Sequence, residues 1–152
     1  MTIDGAKQGK FKAEGGPQFK GRIPVHKYSV EVISPRDPAS GQPTGKRLWK
    51  PVEIVKDWSA ASPQIVQAIA TNEVLTSVLI EIFRTEATGL EQLVGTVRLT
   101  NASVSSYHSY VSEGSQGDIP AGRAVESVQF TFQRIELTNP DGQTGVMDDW
   151  LR

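Results

Sequence analysis

The sequence predicts a mainly β fold: a small β-barrel or two-sheet sandwich with one flanking α-helix and a long extended loop. Several runs alternate apolar and polar residues with a period of two, as strands half-buried on a core do. Only Ser62 to Asn72 carries the punctuation of a helix. Between Ser34 and Pro51 lies a polar stretch broken by Pro35, Pro38 and Pro43, too long for an ordinary connection and unable to continue as a central strand.

In chain order, Met1 to Ile3 reads as a short first strand, followed by a glycine- and lysine-rich loop. From Lys27 to Ile33, Tyr28, Val30 and Val32 share one face and Ser29 and Glu31 the other, which predicts a half-buried strand ended by Ser34-Pro35. Val52, Ile54 and Lys56 alternate with Glu53, Val55 and Asp57 in a second strand that runs toward Trp58. In the helix, Ser62 is the expected N-cap, Pro63 occupies the first helical position, and Asn72 provides a left-handed stop. Ile65, Val66 and Ile69 are expected to form the stripe that packs on a sheet, leaving Gln64, Gln67 and Thr71 to face elsewhere.

Ser77 to Arg84 is apolar on both faces and so is expected to be central. Thr85-Glu-Ala-Thr-Gly89 has the length of a hairpin loop, Leu90 to Leu99 is the return strand, and Asn101 to Val111 is a further one. After a Gly/Ser-rich loop, Ser112 to Gly122, the longest strand is expected at Val125 to Thr138. Val128, Phe130 and Phe132 share a face there, whereas Ile135 and Leu137 have the other parity. That is the signature of a bulge or bend near Gln133 and Arg134, suited to a strand passing between sheets. Asn139-Pro-Asp-Gly142 turns the chain into a last strand, Thr144 to Leu151. Trp58 and Trp150, each closing an alternating run, are expected to be buried, and Trp49 to lie at an interface.

With 152 residues and 38% hydrophobic content, the chain suits one domain over residues 1–152. A domain of that size buries roughly 68–70% of its unfolded surface. The absence of cysteine excludes disulfides and thiolate chemistry. No apolar signal or spanning run is present, so the chain is expected to be made as a soluble cytoplasmic protein without a membrane partner. A net charge of −1 gives no footprint for nucleic acid. The charge is unevenly placed: Met1 to Lys27 carries six Lys/Arg against Asp4 and Glu14, a surplus of +4, while Glu113 to Arg152 carries three Arg against seven Asp/Glu, a deficit of −4. Such ends are either solvated or paired within the chain, or they meet between copies of it.

No residue pattern supports catalysis, a cofactor or a metal. Gly41-Gln-Pro-Thr-Gly45-Lys46 has three residues between its glycines where a phosphate loop needs four, and Arg47 follows the lysine. His26 and His108 are 82 positions apart with no carboxylate at ligand spacing. Asp148 and Asp149 are adjacent on a strand and point to opposite faces, so they cannot act as a glycosidase pair.

Several stretches resemble the haemolysin-coregulated protein (Hcp) family of type VI secretion tube proteins. They are Ser34-Pro-Arg-Asp-Pro-Ala-Ser-Gly-Gln-Pro-Thr-Gly-Lys-Arg47, Ser62-Pro-Gln-Ile-Val-Gln-Ala-Ile-Ala-Thr-Asn-Glu73, Ile82-Phe-Arg-Thr-Glu-Ala-Thr-Gly89 and Leu99-Thr-Asn-Ala-Ser103. Phe130-Thr-Phe-Gln-Arg-Ile-Glu136 and Asp148-Asp-Trp150 extend the likeness across most of residues 26 to 150. The resemblance implies a phage tail-tube-like barrel that self-assembles as a homohexamer. Its rings would stack into a hollow tube, carry effector proteins in the lumen, meet spike and sheath components, and leave the cytoplasm without a signal peptide. A monomeric β-barrel that binds a ligand is the competing class.

Within that resemblance, the long loop becomes a projecting arm that contributes to ring stacking. Pro35, Pro38 and Pro43 keep it out of a sheet, and Gly41 and Gly45 permit reversal at its tip. Arg36, Lys46, Arg47 and Lys50 outnumber Asp37 and make it basic, with Ser40, Thr44 and Trp49 as further contact residues. Gln64, Gln67 and Thr71 on the helix are expected at a neighbour or the lumen.

Overall fold

The computed structural model describes residues 1–17, 19–114 and 119–149. In chain order the elements are β1 (Thr2–Gly5), β2 (Gly9–Lys10), β3 (Lys27–Ser29), β4 (Val32–Ile33), β5 (Leu48–Trp49), β6 (Val52–Asp57), α1 (Ser62–Ala70), β7 (Leu75–Thr85), β8 (Glu91–Val111), β9 (Ala124–Thr131), β10 (Arg134–Asn139) and β11 (Thr144–Asp149). The antiparallel strand order is β2-β1-β7-β8-β9-β6-β3, and β10, paired to β8 and β11, branches from it. The first part of β8 lies between β7 and β10, and its last part pairs with β9. The two arms of the sheet enclose one core that includes Ile3, Ile54, Ile65, Val78, Leu99, Phe130 and Ile135. The sheet is mainly β as expected, but it is open rather than a closed barrel, since β2, β3 and β11 each pair on one side only.

The period-two reading of β6 holds, with Val52 and Ile54 buried, and β7 is central between β1 and β8. The parity break also falls as expected. The chain leaves β9 after Thr131 and re-enters as β10 at Arg134, changing partner from β6 to β11. Three expected elements differ. Residues 91–111 form one strand of 21 residues, the longest among those described, because Asn101 adopts φ 50° and bends the strand instead of ending it. Lys27 to Ile33 is two short strands, and Tyr28 and Val32 are exposed because this edge has no second layer over it. Trp58 is 56% exposed: β6 ends at Asp57 and the chain turns out toward the helix, while Lys56 takes the inward position before it. Trp150 lies outside the described residues.

The helix spans nine residues and stops as expected, with Asn72 at φ 57°. Its N-cap is Ala61, without a side-chain cap, and Ser62 is the first helical residue. The buried face is Ser62, Ile65 and Ala68, so Val66 and Ile69, expected inside, are exposed at 43% and 40%. The small side chains of Ser62 and Ala68 let the helix lie close to the sheet, and Ser62 is drawn inward by polar contacts.

Those contacts form a buried network. Lys56 Nζ lies 2.5 Å from Glu126 Oε1, and both side chains are wholly buried. The Ser62 hydroxyl donates to Glu126 Oε1 at 2.8 Å and accepts from the Ser59 N–H at 2.9 Å. Lys56 Nζ also donates to Ser59 Oγ at 2.9 Å, and Tyr107 OH donates to Glu126 Oε2 at 2.6 Å. Burial, reinforced by the Glu126 carboxylate, pushes the Tyr107 hydroxyl up to about 12, so it remains a donor at neutral pH. The network therefore ties β6, β8, β9 and the start of α1 together. At the other end of the helix, buried Glu73 accepts from the N–H groups of Lys7 and Gln8 at 2.9 and 2.8 Å, and from Gln8 Nε2 at 3.0 Å. Those hydrogen bonds hold its carboxyl below the usual range despite the opposing effect of burial. A Cβ on Gly5 would collide with this carboxylate, which is why the backbone there needs glycine.

Removing one member of a buried ion pair leaves an uncompensated charge and costs about 3–5 kcal/mol, whereas an apolar replacement of both is often neutral. Lys56→Met is therefore expected to lower unfolding stability in urea by that amount. Adding Glu126→Gln to the same chain removes the second charge but keeps an acceptor for Tyr107 and Ser62, and should recover much of the loss. A double variant no more stable than Lys56→Met would show that the charge pair is not the source of the effect.

Candidate functional site

The stretch between β3 and β6 folds as a hairpin arm. Its base is the β4–β5 pair, Val32 opposite Trp49 and Ile33 opposite Leu48. An Arg36–Pro43 bridge and a Thr44 N–H to Pro35 carbonyl bond of 3.1 Å carry it outward. Asp37 organises the tip. Its carboxylate accepts from Ser40 Oγ at 2.7 Å and from the Ala39 N–H at 3.2 Å, while its N–H reaches the Gln42 carbonyl at 2.8 Å. The Ser40 bond, then the Ala39 one, holds the Asp37 carboxyl below the usual carboxylate range. Gly41 sits at φ 73°, the left-handed conformation that closes the reversal.

Of the residues expected to act on this arm, Arg36, Ser40, Gly41, Thr44, Gly45 and Lys46 are exposed along its outer part. Arg47 and Trp49 are engaged with the chain's own last described strand. Arg47 makes a two-pronged ion pair with Asp148 on β11, and Trp49 Nε1 donates to Asp148 Oδ2 at 2.8 Å. The Trp49 ring stands edge-on to Phe132, with centroids 6.1 Å apart. The Arg47 guanidinium, aided by the Trp49 N–H, lowers the Asp148 carboxyl to about 2. One carboxylate thus fixes the angle at which the arm leaves the body.

On the helix, Gln64 is also occupied within the chain. Its Oε1 accepts from the Lys12 N–H at 2.7 Å, and its carbonyl accepts from Gln8 Nε2 at 3.0 Å. Gln67 and Thr71 are exposed, and the Thr71 hydroxyl donates to the Gln67 carbonyl at 2.9 Å. The arm and the helix residues are not brought into one site.

Sequence reasoning missed this role of Asp148, which it weighed as half of a carboxylate pair and as part of the Asp148-Asp-Trp150 likeness. The available signal was parity, since Asp148 shares a face with Val146 and lies opposite core-facing Ile135. Of the two histidines, His26 Nε2 lies 2.8 Å from Asp57 Oδ1, and His108 stacks near Tyr110. Among the described residues no group of three or more potential metal ligands forms.

An arm held at a set angle and, among the described strands, three open sheet edges offer shape for another protein to meet. The family described as "Type VI secretion system effector, Hcp" matches residues 1–138, and the chain belongs to it. The chain is 35% identical over 160 residues to the "Major exported protein" of Pseudomonas aeruginosa, covering 99% of this chain and 93% of that one. The solved structure of the secreted protein Hcp3 from Pseudomonas aeruginosa has a TM-score of 0.77 at 28% identity, covering 98% of this chain and 96% of its own. The Hcp1 protein from E. coli EAEC 042 shares the fold, with a TM-score of 0.84 at 21% identity, covering 98% and 95%. Family membership makes this a type VI secretion tube protein with a structural role.

Because the Asp148 carboxyl is lowered from 3.8 to about 2 in the folded chain, the clamp's stabilisation is fully present above the ordinary carboxylate pKa and is lost as pH falls toward about 2. Asp148→Asn should increase amide exchange across residues 32–49 several-fold at neutral pH. It should also remove most of the loosening that the parent shows between about pH 4 and pH 2. Unchanged exchange in that segment would mean that the arm is held by β4–β5 pairing alone.

Proposed function

We propose that this chain assembles as hexameric rings that stack into a hollow tube. The tube carries effector proteins in its lumen, works with spike and sheath components, and passes from the cytoplasm to the exterior when the system fires. The observation that carries this reading is the clamped arm: a hairpin with an ordered tip, fixed at its base by Asp148, is built to reach another copy. Val32, Ile33 and Leu48 on its two strands are exposed at 48%, 40% and 46%, which suits them to burial against a neighbour.

In this reading the arm bridges successive rings. Arg36, Asp37, Ser40, Gly41, Thr44, Gly45 and Lys46 make the contact, while Arg47 and Trp49 set its angle from behind. Gln67 and Thr71 face a neighbouring subunit or the lumen, and Gln64 holds the N-terminal segment beside them. Exposed ion pairs contribute only roughly 0–1 kcal/mol each, but repeated around a ring they act together and respond to salt.

Light scattering with negative-stain imaging tests the assembly, and rings with a central hole are expected. Arg36→Glu combined with Lys46→Glu should leave rings intact while disfavouring their stacking, most clearly at low ionic strength. Tubes as long as the parent's at the same salt would exclude the arm from the ring-to-ring contact. A protein that stays monomeric at high concentration would overturn the ring reading itself.

A further inference from the structure

Two exposed apolar features lie toward opposite ends of β7. At one end, Val66 and Ile69 on α1 and Val74 just beyond it are exposed at 43%, 40% and 44%. They form a ridge on a helix that carries no charge along its length. At the other end a groove of about 590 Å³ runs between the arm base and the sheet, walled by Tyr28, Val32, Ile82 and Leu137. It continues past Leu137 and Thr138 into a shallower trough of about 350 Å³ bordered by Val146 on β11. Val146 is 58% exposed and lies directly opposite Leu137. The helix ends where β7 begins at Leu75, and the groove crosses β7 at Ile82. Seven residues of strand separate the two features by roughly 23 Å.

The charges around them are opposed. Beside the ridge, Lys7, Lys10 and Lys12 are exposed, and the Lys7 charge also acts on the buried Glu73 carboxylate. Beyond the groove, Glu86 and Asp141 in the β7–β8 and β10–β11 turns and Glu91 at the start of β8 outnumber Arg84, which pairs with Glu86 and Asp141. A ridge and a groove held roughly 23 Å apart along one strand, with opposite charge nearby, cannot satisfy one another within that chain. They can do so between copies arranged head to tail, the heterologous contact that closes into a ring.

We infer that the Val66–Ile69–Val74 ridge of one copy seats in the groove between the arm base and β11 of its neighbour in the same ring. This rests on the ring reading above and names its contact surfaces. The contact places Ile69 near the neighbour's Val146 and the lysines of the N-terminal segment near the neighbour's acidic turns. It also explains why the helix buries its small residues and turns Val66 and Ile69 outward.

The chain has no cysteine, so introduced ones report without background. The double variant Ile69→Cys/Val146→Cys, treated with a short bis-maleimide, should give a denaturing-gel ladder that ends at six chains. Each single variant alone should give no ladder. Rings seen by light scattering without a ladder would overturn this contact and leave the ring reading standing. Bands beyond six would place the contact between rings and also overturn it. A parent protein that forms no rings would remove the ring reading and this inference with it. As a second measure, Ile69→Asp should convert rings to monomers with an unchanged circular dichroism spectrum, and Val146→Lys added to the same chain should restore rings. An Ile69→Asp variant that assembles like the parent would sink the proposal.

Discussion

The architecture depends on one strand belonging to both arms of the sheet. β8 pairs with β7 and β10 over its first part and with β9 over its last, so the angle between the two arms is set inside a single strand. Side chains in a strand alternate strictly, and a shift of one residue exchanges core and solvent faces. β8 makes that exchange more than once. Val97 and Leu99 are buried, then Ala102 after the bend at Asn101, and Tyr107 turns inward after the register shift between Val104 and Ser106. Each change of parity keeps the inward positions filled as the strand curves from one layer into the next.

The second change of parity is what brings the Tyr107 hydroxyl to Glu126, and the buried polar network follows from it. A buried lysine and glutamate are poor sources of stability compared with well-packed apolar side chains, but they tolerate very few arrangements. Here they require the Ser59 and Ser62 oxygens, and so fix where the helix begins and which face it turns inward. Ser62, Val66 and Ile69 stand at i, i+4 and i+7 on one helix, so the two apolar residues are exposed because of where they lie along the helix and not because the helix is rotated about its axis.

Much of the fold was legible in the sequence because strands announce themselves through alternation. β6 and β7, the hairpin after Thr85 and the break between β9 and β10 followed from parity and turn residues alone. The arm was legible from its prolines and glycines, which exclude a central strand and permit a tight tip. The helix face was not, because a hydrophobic pattern assigns the largest apolar residues to the core, and here close approach to the sheet favoured serine and alanine. The same alternation contained an unused signal: Lys56 shares parity with Val52 and Ile54, and Glu126 with Val128 and Phe130, so two charges stood on inward faces. Asp148 was missed for a different reason. Its partners Arg47 and Trp49 are about a hundred residues away in sequence, and no local pattern links a carboxylate to a loop at that distance.

The clamp also bears on how weak surface contacts could hold a large assembly. A mobile arm would lose conformational freedom on docking, of the order of 1–2 kcal/mol for each backbone residue ordered, and that would exceed anything its exposed charges return. Asp37 orders the tip and Asp148 orders the base before any partner arrives, so most of that loss is already incurred when the chain folds. Asp148 is two residues from Val146 on β11, the strand that borders the groove. In the proposed assembly, one six-residue strand would therefore support the arm on one side and receive a neighbour's helix on the other. Seating that helix would steady β11, and with it the carboxylate that aims the arm, so that ring closure would favour stacking.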